Sequence, residues 1–266
     1  RFAGLTSPET ARSSTRIEPG TSDSRSNAPP VVPQAGATAI SIARRTDRTR
    51  VCIAARMLPA ARSRRTTSAS ASGVLAYRSG GGNPRQLTWV DRSGTTGGTV
   101  GDRDATLNNP RVSPDGRRVV VTRTVQNNTD VWLLDGTRTV RLTFDDGADT
   151  RPVWSPDGSR LAFRSGTVLY AKATSGAGGP ERLLASEQII NSSHWSANGR
   201  YLLFHTQDPQ TDSDLWVLPM QGERTPWVFL KTPNRELHAT FSPDDRWVAY
   251  QSNESGRMEI YVHEFP

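Results

Sequence analysis

Trp154-Ser155-Pro156-Asp157-Gly158 is a phrase that this chain repeats, with small changes, four times. The other copies are Val112-Ser113-Pro114-Asp115-Gly116, Trp195-Ser196-Ala197-Asn198-Gly199 and Phe241-Ser242-Pro243-Asp244-Asp245. Their serines stand 42, 41 and 46 residues apart, which is the period of a four-stranded propeller blade. Proline presets φ, aspartate bonds back to nearby amides and glycine accepts positive φ, so each phrase reads as a tight turn between two strands.

Working outward, each phrase is followed by an apolar run that begins six residues after its serine: Val119-Val120-Val121, Leu161-Ala162-Phe163, Leu202-Leu203-Phe204 and Val248-Ala249-Tyr250. A continuous apolar run bounded by turn residues suits a strand buried on both faces. Three repeats then carry an acidic residue, an aliphatic residue and an aromatic, at Asp130-Val131-Trp132, Asp214-Leu215-Trp216 and Glu259-Ile260-Tyr261, expected as third strands. Weaker fourth strands are expected at Val140-Arg141-Leu142-Thr143, Arg182-Leu183-Leu184 and Trp227-Val228-Phe229-Leu230. Trp154, Trp195 and Phe241 recur at one repeat position, and Trp132, Trp216 and Tyr261 at another. Such recurrence predicts packing between blades rather than a ligand cage.

The expected fold is therefore all-β, a β-propeller of about five four-stranded antiparallel blades, partial or open, near 73–107, 108–148, 149–190, 191–235 and 236–266. The repeat wording resembles TolB-like (WD40-like) propeller repeats. Gly73-Val74-Leu75-Ala76-Tyr77-Arg78-Ser79-Gly80 and Gln86-Leu87-Thr88-Trp89-Val90-Asp91-Arg92-Ser93-Gly94 are similar to the C-terminal propellers of bacterial serine/threonine protein kinases. That resemblance implies a sensory or scaffolding module of a larger signalling protein, one that binds protein or peptide and acts outside the cytoplasm.

Residues 1–72 read differently. The first seventy hold 12 arginines, no lysine, four acids and one aromatic, Phe2. Removing them from the formal net charge of +7 leaves 21 basic and 22 acidic residues, so the excess positive charge belongs to this segment. It is expected to be a basic, low-complexity tail with too little apolar surface to fold alone. Two readings of it stand: a natural linker, or a non-native stretch such as a fusion or a shifted reading frame. Nucleic acid is expected as a partner only through this tail.

Closure of the ring is the open question of the fold. The first blade, from Gly73, lacks an obvious first strand, because Ala69-Ser70-Ala71-Ser72 stands where the phrase should be. The last blade, from His238, ends after its third strand. Its unpaired edge at Glu259–Val262 would serve as a template for self-association. Ala39-Ile40-Ser41-Ile42-Ala43 and Val51-Cys52-Ile53-Ala54 are the tail segments with enough apolar alternation to fill it.

The motifs of several chemistries are missing. No G-x-G-x-x-G loop, His-Arg-Asp or Asp-Phe-Gly supports phosphoryl transfer, and no G-x-S-x-G elbow or S-x-x-K supports a serine nucleophile. One cysteine, Cys52, forms no internal disulfide, and the four histidines show no paired ligand spacing. No metal or other cofactor is expected, although Asp145-Asp146-Gly147-Ala148-Asp149 and the Asp208 to Asp214 loop carry oxygen ligands of the kind calcium takes. No apolar run has signal-peptide or membrane-spanning length.

First strands of propeller blades line the central channel. The residue four before each phrase serine, Asn109, Arg151, Ser192 and His238, should point to one mouth of it. These four are the candidate binding residues, with Arg151 placed to meet an anionic group or a peptide carboxylate. A wet, polar channel end without function is the plain alternative. The reading is a non-catalytic module that binds protein or peptide. Its alternatives are a hydrolase or lyase with its site in the channel, and the propeller part of a prolyl-oligopeptidase-like hydrolase.

Overall fold

The structure, a computed structural model, describes residues 15–16, 67–69, 75–79, 84–91 and 94–266, with side chains from residue 84 onward. Among the described residues every regular element is a strand, grouped in five four-stranded antiparallel sheets. Thr15–Arg16 (β1) belongs to the last of these. The first blade holds Thr67–Ala69 (β2), Leu75–Ser79 (β3), Arg85–Val90 (β4) and Thr96–Asp104 (β5). The second holds Asn108–Val112 (β6), Arg118–Val125 (β7), Asn128–Asp135 (β8) and Arg138–Arg141 (β9). Asp149–Trp154 (β10), Arg160–Ser165 (β11), Val168–Ala173 (β12) and Glu181–Ala185 (β13) make the third. The fourth runs through Ile190–Trp195 (β14), Tyr201–Asp208 (β15), Asp212–Pro219 (β16) and Trp227–Leu230 (β17). Glu236–Phe241 (β18), Trp247–Ser252 (β19) and Glu259–Glu264 (β20) form the fifth. Successive first strands touch, β2 with β6, β6 with β10, β10 with β14 and β14 with β18, and so surround the axis.

Each phrase is the hairpin between first and second strands, and its serine is the hub. The amides of Gly116, Gly158 and Gly199 donate to the carbonyls of Ser113, Ser155 and Ser196 at 2.9, 2.9 and 3.0 Å. Each serine hydroxyl donates to the carboxylate or amide oxygen two residues on: Ser113 to Asp115, Ser155 to Asp157, Ser196 to Asn198 and Ser242 to Asp244. In return each hydroxyl accepts the amide five residues on, from Arg118, Arg160, Tyr201 and Trp247, at 2.9 to 3.0 Å. A buried hydroxyl satisfied in both roles carries no desolvation penalty.

Two departures from the phrase compensate each other. In the fourth copy Asp245 replaces glycine and takes φ +56°, a region that disfavours residues with a Cβ. Its carboxylate accepts the amides of Ala197 and Asn198, at 2.7 and 2.8 Å, in the turn of the preceding blade. The Ala197 amide exists only because proline is absent there.

The core lies between blades. Leu87 and Val100 of the first blade pack with Val119, Val121 and Leu134 of the second. Val120, Val131 and Leu133 meet Trp154, Leu161 and Phe163 across the next junction. Val153, Ala162 and Leu169 meet Trp195 and Phe204, and Leu203 and Val217 meet Phe241 and Tyr250. Trp154, Trp195 and Phe241 are 5 to 8% exposed, so the recurrent aromatic is a bolt between sheets. Full burial of one such side chain contributes about 1.5–3 kcal/mol. Trp154 also donates its indole N–H to the Arg111 carbonyl of the second blade at 2.9 Å.

Two expectations about the ends are corrected. The first blade does have a first strand: β2 pairs with β3 through Thr67 and Tyr77, Ser68 and Ala76, and Ala69 and Leu75. A three-residue strand held by backbone bonds needs neither phrase nor apolar alternation, so its sequence resembles the tail before it. The edge of the last blade is also occupied at two residues. β1 pairs with β20, Thr15 with Val262 and Arg16 with Tyr261, which takes from Tyr261 and Val262 the free edge expected to template self-association. Segments 39–43 and 51–54 lie outside the described residues. No helix among the described residues is long and apolar enough to cross a membrane.

Candidate functional site

The first strands do not run straight past the axis. In β6, β10, β14 and β18 the pairing with the second strand slips, between Asn108 and Arg111, Thr150 and Val153, Ser192 and His194, and Leu237 and Thr240. The slip is a β-bulge, a device that re-aims a side chain and increases local twist. Asn109, Arg151 and His238 sit in these bulges with φ of +47°, +58° and +52°. Three residues with side chains hold the left-handed backbone that glycine takes most easily, at one repeat position. Strain of this kind persists only where the surroundings over-determine it.

Ser192 is the exception. It stays paired with Phe204 and is 3% exposed. Its hydroxyl donates to the Arg151 carbonyl, tying the third blade to the fourth at the mouth. Asn109 turns toward its own blade, where its amide nitrogen donates to Thr122 at 3.4 Å. The candidate residues are thus brought together as a joined pair, Arg151 and Ser192, with His238 in the electrostatic reach of Arg151.

Around them stand residues that the sequence reading did not single out. Arg164, across the sheet from Thr150, donates to the Thr150 hydroxyl at 3.1 Å and to the Asn191 side-chain oxygen at 3.2 Å. His205 packs edge-on against His238 with ring centroids 5.8 Å apart, and its Nδ1 lies 3.3 Å from the Ser193 hydroxyl. His194 accepts the Phe241 amide on Nδ1 at 3.4 Å. Arg111 follows the bulge of β6. Its guanidinium is held below its ordinary basicity, first by burial and then by Arg151.

The charged neighbours that lower this group are arginines, with the His238 ring beside His205. Burial comes first in pushing His205 down to about 3, followed by His238, Arg151, Arg235 and Arg164. Burial again leads for His238, at about 4, followed by Arg151, Arg111 and Arg235. His194 falls to about 4 through burial and then Arg111. Arg151 is lowered by burial and by Arg164. His238 is enclosed by the channel wall yet its side chain is exposed, so the mouth is wet. All three histidines are neutral at pH 7 while the arginines stay charged.

The Asp-rich loops are used locally. Asp208 accepts the Gln210 amide at 2.8 Å and the Lys231 ammonium at 3.1 Å, which hold its carboxyl down at about 2. Lys231 also reaches Asp214 at 3.0 Å. Asp149 is fully buried, and burial pushes its carboxyl up. Among the described residues no group of three or more His, Cys, Asp or Glu side chains could hold a metal ion.

Comparison with known proteins places this geometry in a family. The TolB beta propeller domain matches residues 75–262. TolB from Acinetobacter baumannii superposes with a TM-score of 0.65 at 21% identity, over 75% of this chain and 51% of that one. The chain thus spans about half the length of that structure. The putative TolB from Agrobacterium tumefaciens gives 0.63 at 18% identity, covering 75% of this chain and 76% of its own. An acylaminoacyl peptidase from Pyrococcus horikoshii gives 0.53 at 12% identity, over 74% of this chain and 37% of that one. At these identities the structures share the fold.

Proposed function

Because this chain belongs to the TolB beta propeller domain family, we propose that it is a non-catalytic binding module that takes a protein or peptide at the mouth of its channel. The observation that carries the reading is the ring of strained first-strand positions, Asn109, Arg151 and His238, all at positive φ. Asn109 turns back to Thr122, but bulges that re-aim Arg151 and His238 at the mouth cost stability without contributing core, which favours a binding role for these two. The likeness to kinase-attached propellers makes a sensory or scaffolding part of a larger signalling protein the context in which such a module works.

Channel chemistry is the second reading, favoured by His205 and His238 lying 5.8 Å apart. A general base works best with a pKa near the operating pH. Rings held at about 3 and 4 are weak bases at pH 7, which argues for binding. Selection of a displayed peptide library on the full chain tests the reading. Enriched peptides should lose at least tenfold in affinity on Arg151→Gln and on His238→Ala. Equal binding by both variants would move the ligand away from the channel. Turnover of an ester, phosphoester or glycoside that His238→Ala abolishes would establish the enzyme reading instead.

A further inference from the structure

We infer that the channel mouth is an oxyanion site, in which Arg111, Arg151 and Arg164 together receive a carboxylate or phosphate group of the ligand. The inference rests on the channel-mouth reading above and names the chemistry that the mouth would recognise.

Three independent observations support it. The first is placement. Arg151 occupies the bulge of β10, Arg164 lies on β11 across from Thr150, and Arg111 closes the bulge of the adjoining β6. β6, β10 and β14 touch one another in sequence around the axis, so these side chains come from one sector of the channel wall.

The second is the lack of counter-charge. Among the described residues none of the three arginines forms an ion pair. Arg123, Arg141, Arg160, Arg224 and Arg257 do, so carboxylates come within reach of several arginines elsewhere in this propeller. Arg235, which also bears on the mouth, is paired with Asp212 at 3.4 Å. The charged groups that act on Arg111, Arg151, His194, His205 and His238 are arginines, joined at His205 by the neutral His238. Unpaired guanidinium groups crowded in a partly enclosed channel repel one another, and an anion relieves that repulsion.

The third is orientation. Arg164 is fixed by two neutral acceptors, Thr150 and Asn191, which hold a guanidinium in place without cancelling its charge. Ser192 fixes the Arg151 backbone through its carbonyl, a bond in which the guanidinium takes no part. Neutral His205 and His238 add polar ring nitrogens beside the charges. A planar fork facing an oxyanion is the arrangement in which arginine binds most strongly.

The full chain is melted at pH 7.5 in one common buffer with about 50 mM sodium phosphate, sodium acetate or sodium chloride, the last two brought to the ionic strength of the first with further sodium chloride. An oxyanion site raises the wild-type melting temperature by about 3 °C over chloride in phosphate, acetate or both. The larger shift tells whether phosphate or carboxylate is the preferred group. Arg151→Gln and Arg111→Gln lose the increment, whereas Arg224→Gln, whose arginine pairs with Glu181, keeps it. Should either glutamine variant melt without a cooperative transition, Arg151→Lys serves in its place and keeps less than half the wild-type increment, because the charge remains and the fork is lost. Equal melting temperatures in all three salts, or an increment retained in the channel variants, overturns the inference. Selected peptides that bind the mouth while carrying no acidic group would overturn it too and leave the binding reading intact.

Discussion

Two rings run around this propeller, built from the same repeat ten residues or less apart in sequence. In the ring of phrase turns, every serine hydroxyl donates two residues ahead and accepts from five residues ahead. Charge and hydrogen-bonding capacity are consumed within the turn or, at Asp245, by the neighbouring one. In the ring at the channel mouth, the equivalent positions hold Asn, Arg, Ser and His, three of them in left-handed backbone. Arg151 and its neighbours Arg111 and Arg164 form no ion pair within the described residues, although Arg235 pairs with Asp212. The contrast separates what a repeat position does for the fold from what it does for a ligand. Positions that satisfy themselves keep their residue type from blade to blade, and positions that leave polar groups open vary.

The largest test of this separation is at the bolts beside the turns. Trp154→Ala and Trp195→Ala should each lower unfolding free energy by about 3–5 kcal/mol in denaturant titrations. Both side chains are buried against the preceding blade. A loss below about 1 kcal/mol would mean that the junctions are not where the fold is held.

A smaller effect should appear at Glu236, the first residue of β18, which is fully buried near Asp214. Burial pushes its carboxyl up from 4.5 to about 7, against the opposing hydrogen bond from Thr232. Between pH 4.5 and 7 the folded carboxyl keeps a proton that the unfolded chain releases, so its contribution to stability falls as pH rises through that window. His205, held at about 3, acts with the opposite sign, since its contribution is lost as pH falls below 6.5. The depressed histidines His194, His205 and His238 together outweigh it, so Glu236→Gln should steepen the rise in urea midpoint between pH 5 and 7. An unchanged slope would show that this carboxyl ionises freely in the fold.

The pairing of Asp245 with the turn ahead of it tests how tightly that ring is closed. Ala197→Pro restores the usual phrase but removes an amide that Asp245 uses. It should cost about 1 kcal/mol in the wild type. In an Asp245→Gly background the same change should be neutral or stabilising by about 0.5 kcal/mol, since proline suits the turn and the bond is already gone. A double-mutant cycle with no coupling would mean that the two departures are unrelated.

The sequence made one ring readable and hid the other for physical reasons. Pro-Asp-Gly has a local meaning, so turns, second strands and bolts such as Trp154 followed from it. Thr67–Ala69 is a strand because β3 offers it an edge, and Thr15–Arg16 because β20 does. Short strands of that kind carry no pattern of their own. At the mouth, the spacing located Asn109, Arg151, Ser192 and His238 but not the bulges, because an L-residue at positive φ leaves no signature in its own letter. Arg164 and His205 come from second strands, and their approach to the axis depends on those bulges. The role of Asp245 in place of glycine rests on its partners Ala197 and Asn198 in the preceding blade, which its own letter does not announce.

The finest test sets a glycine of one ring against an arginine of the other. Gly158 takes φ +69°, and an added Cβ would lie 3.3 Å from Arg118 Nη2 and 3.6 Å from Pro114 Cδ. Arg118 donates to the Gly158 carbonyl at 3.0 Å and stacks on Trp154 with its guanidinium 5.0 Å from the ring. Gly158→Ala should therefore destabilise by about 1 kcal/mol, from left-handed strain together with displacement of that bridge. Arg151 takes nearly the same backbone, φ +58°, and Arg151→Gly should act in the other direction. It removes the strain of a Cβ and one of the mutually repelling cations, offset by the greater freedom of glycine in the unfolded chain, for a net gain of about 0.5 kcal/mol. Denaturant midpoints for the two variants should fall on opposite sides of the wild type. If Arg151→Gly is instead destabilising by about 1 kcal/mol or more, the arginine holds the fold and the separation between the two rings fails at the residue on which the binding reading depends most.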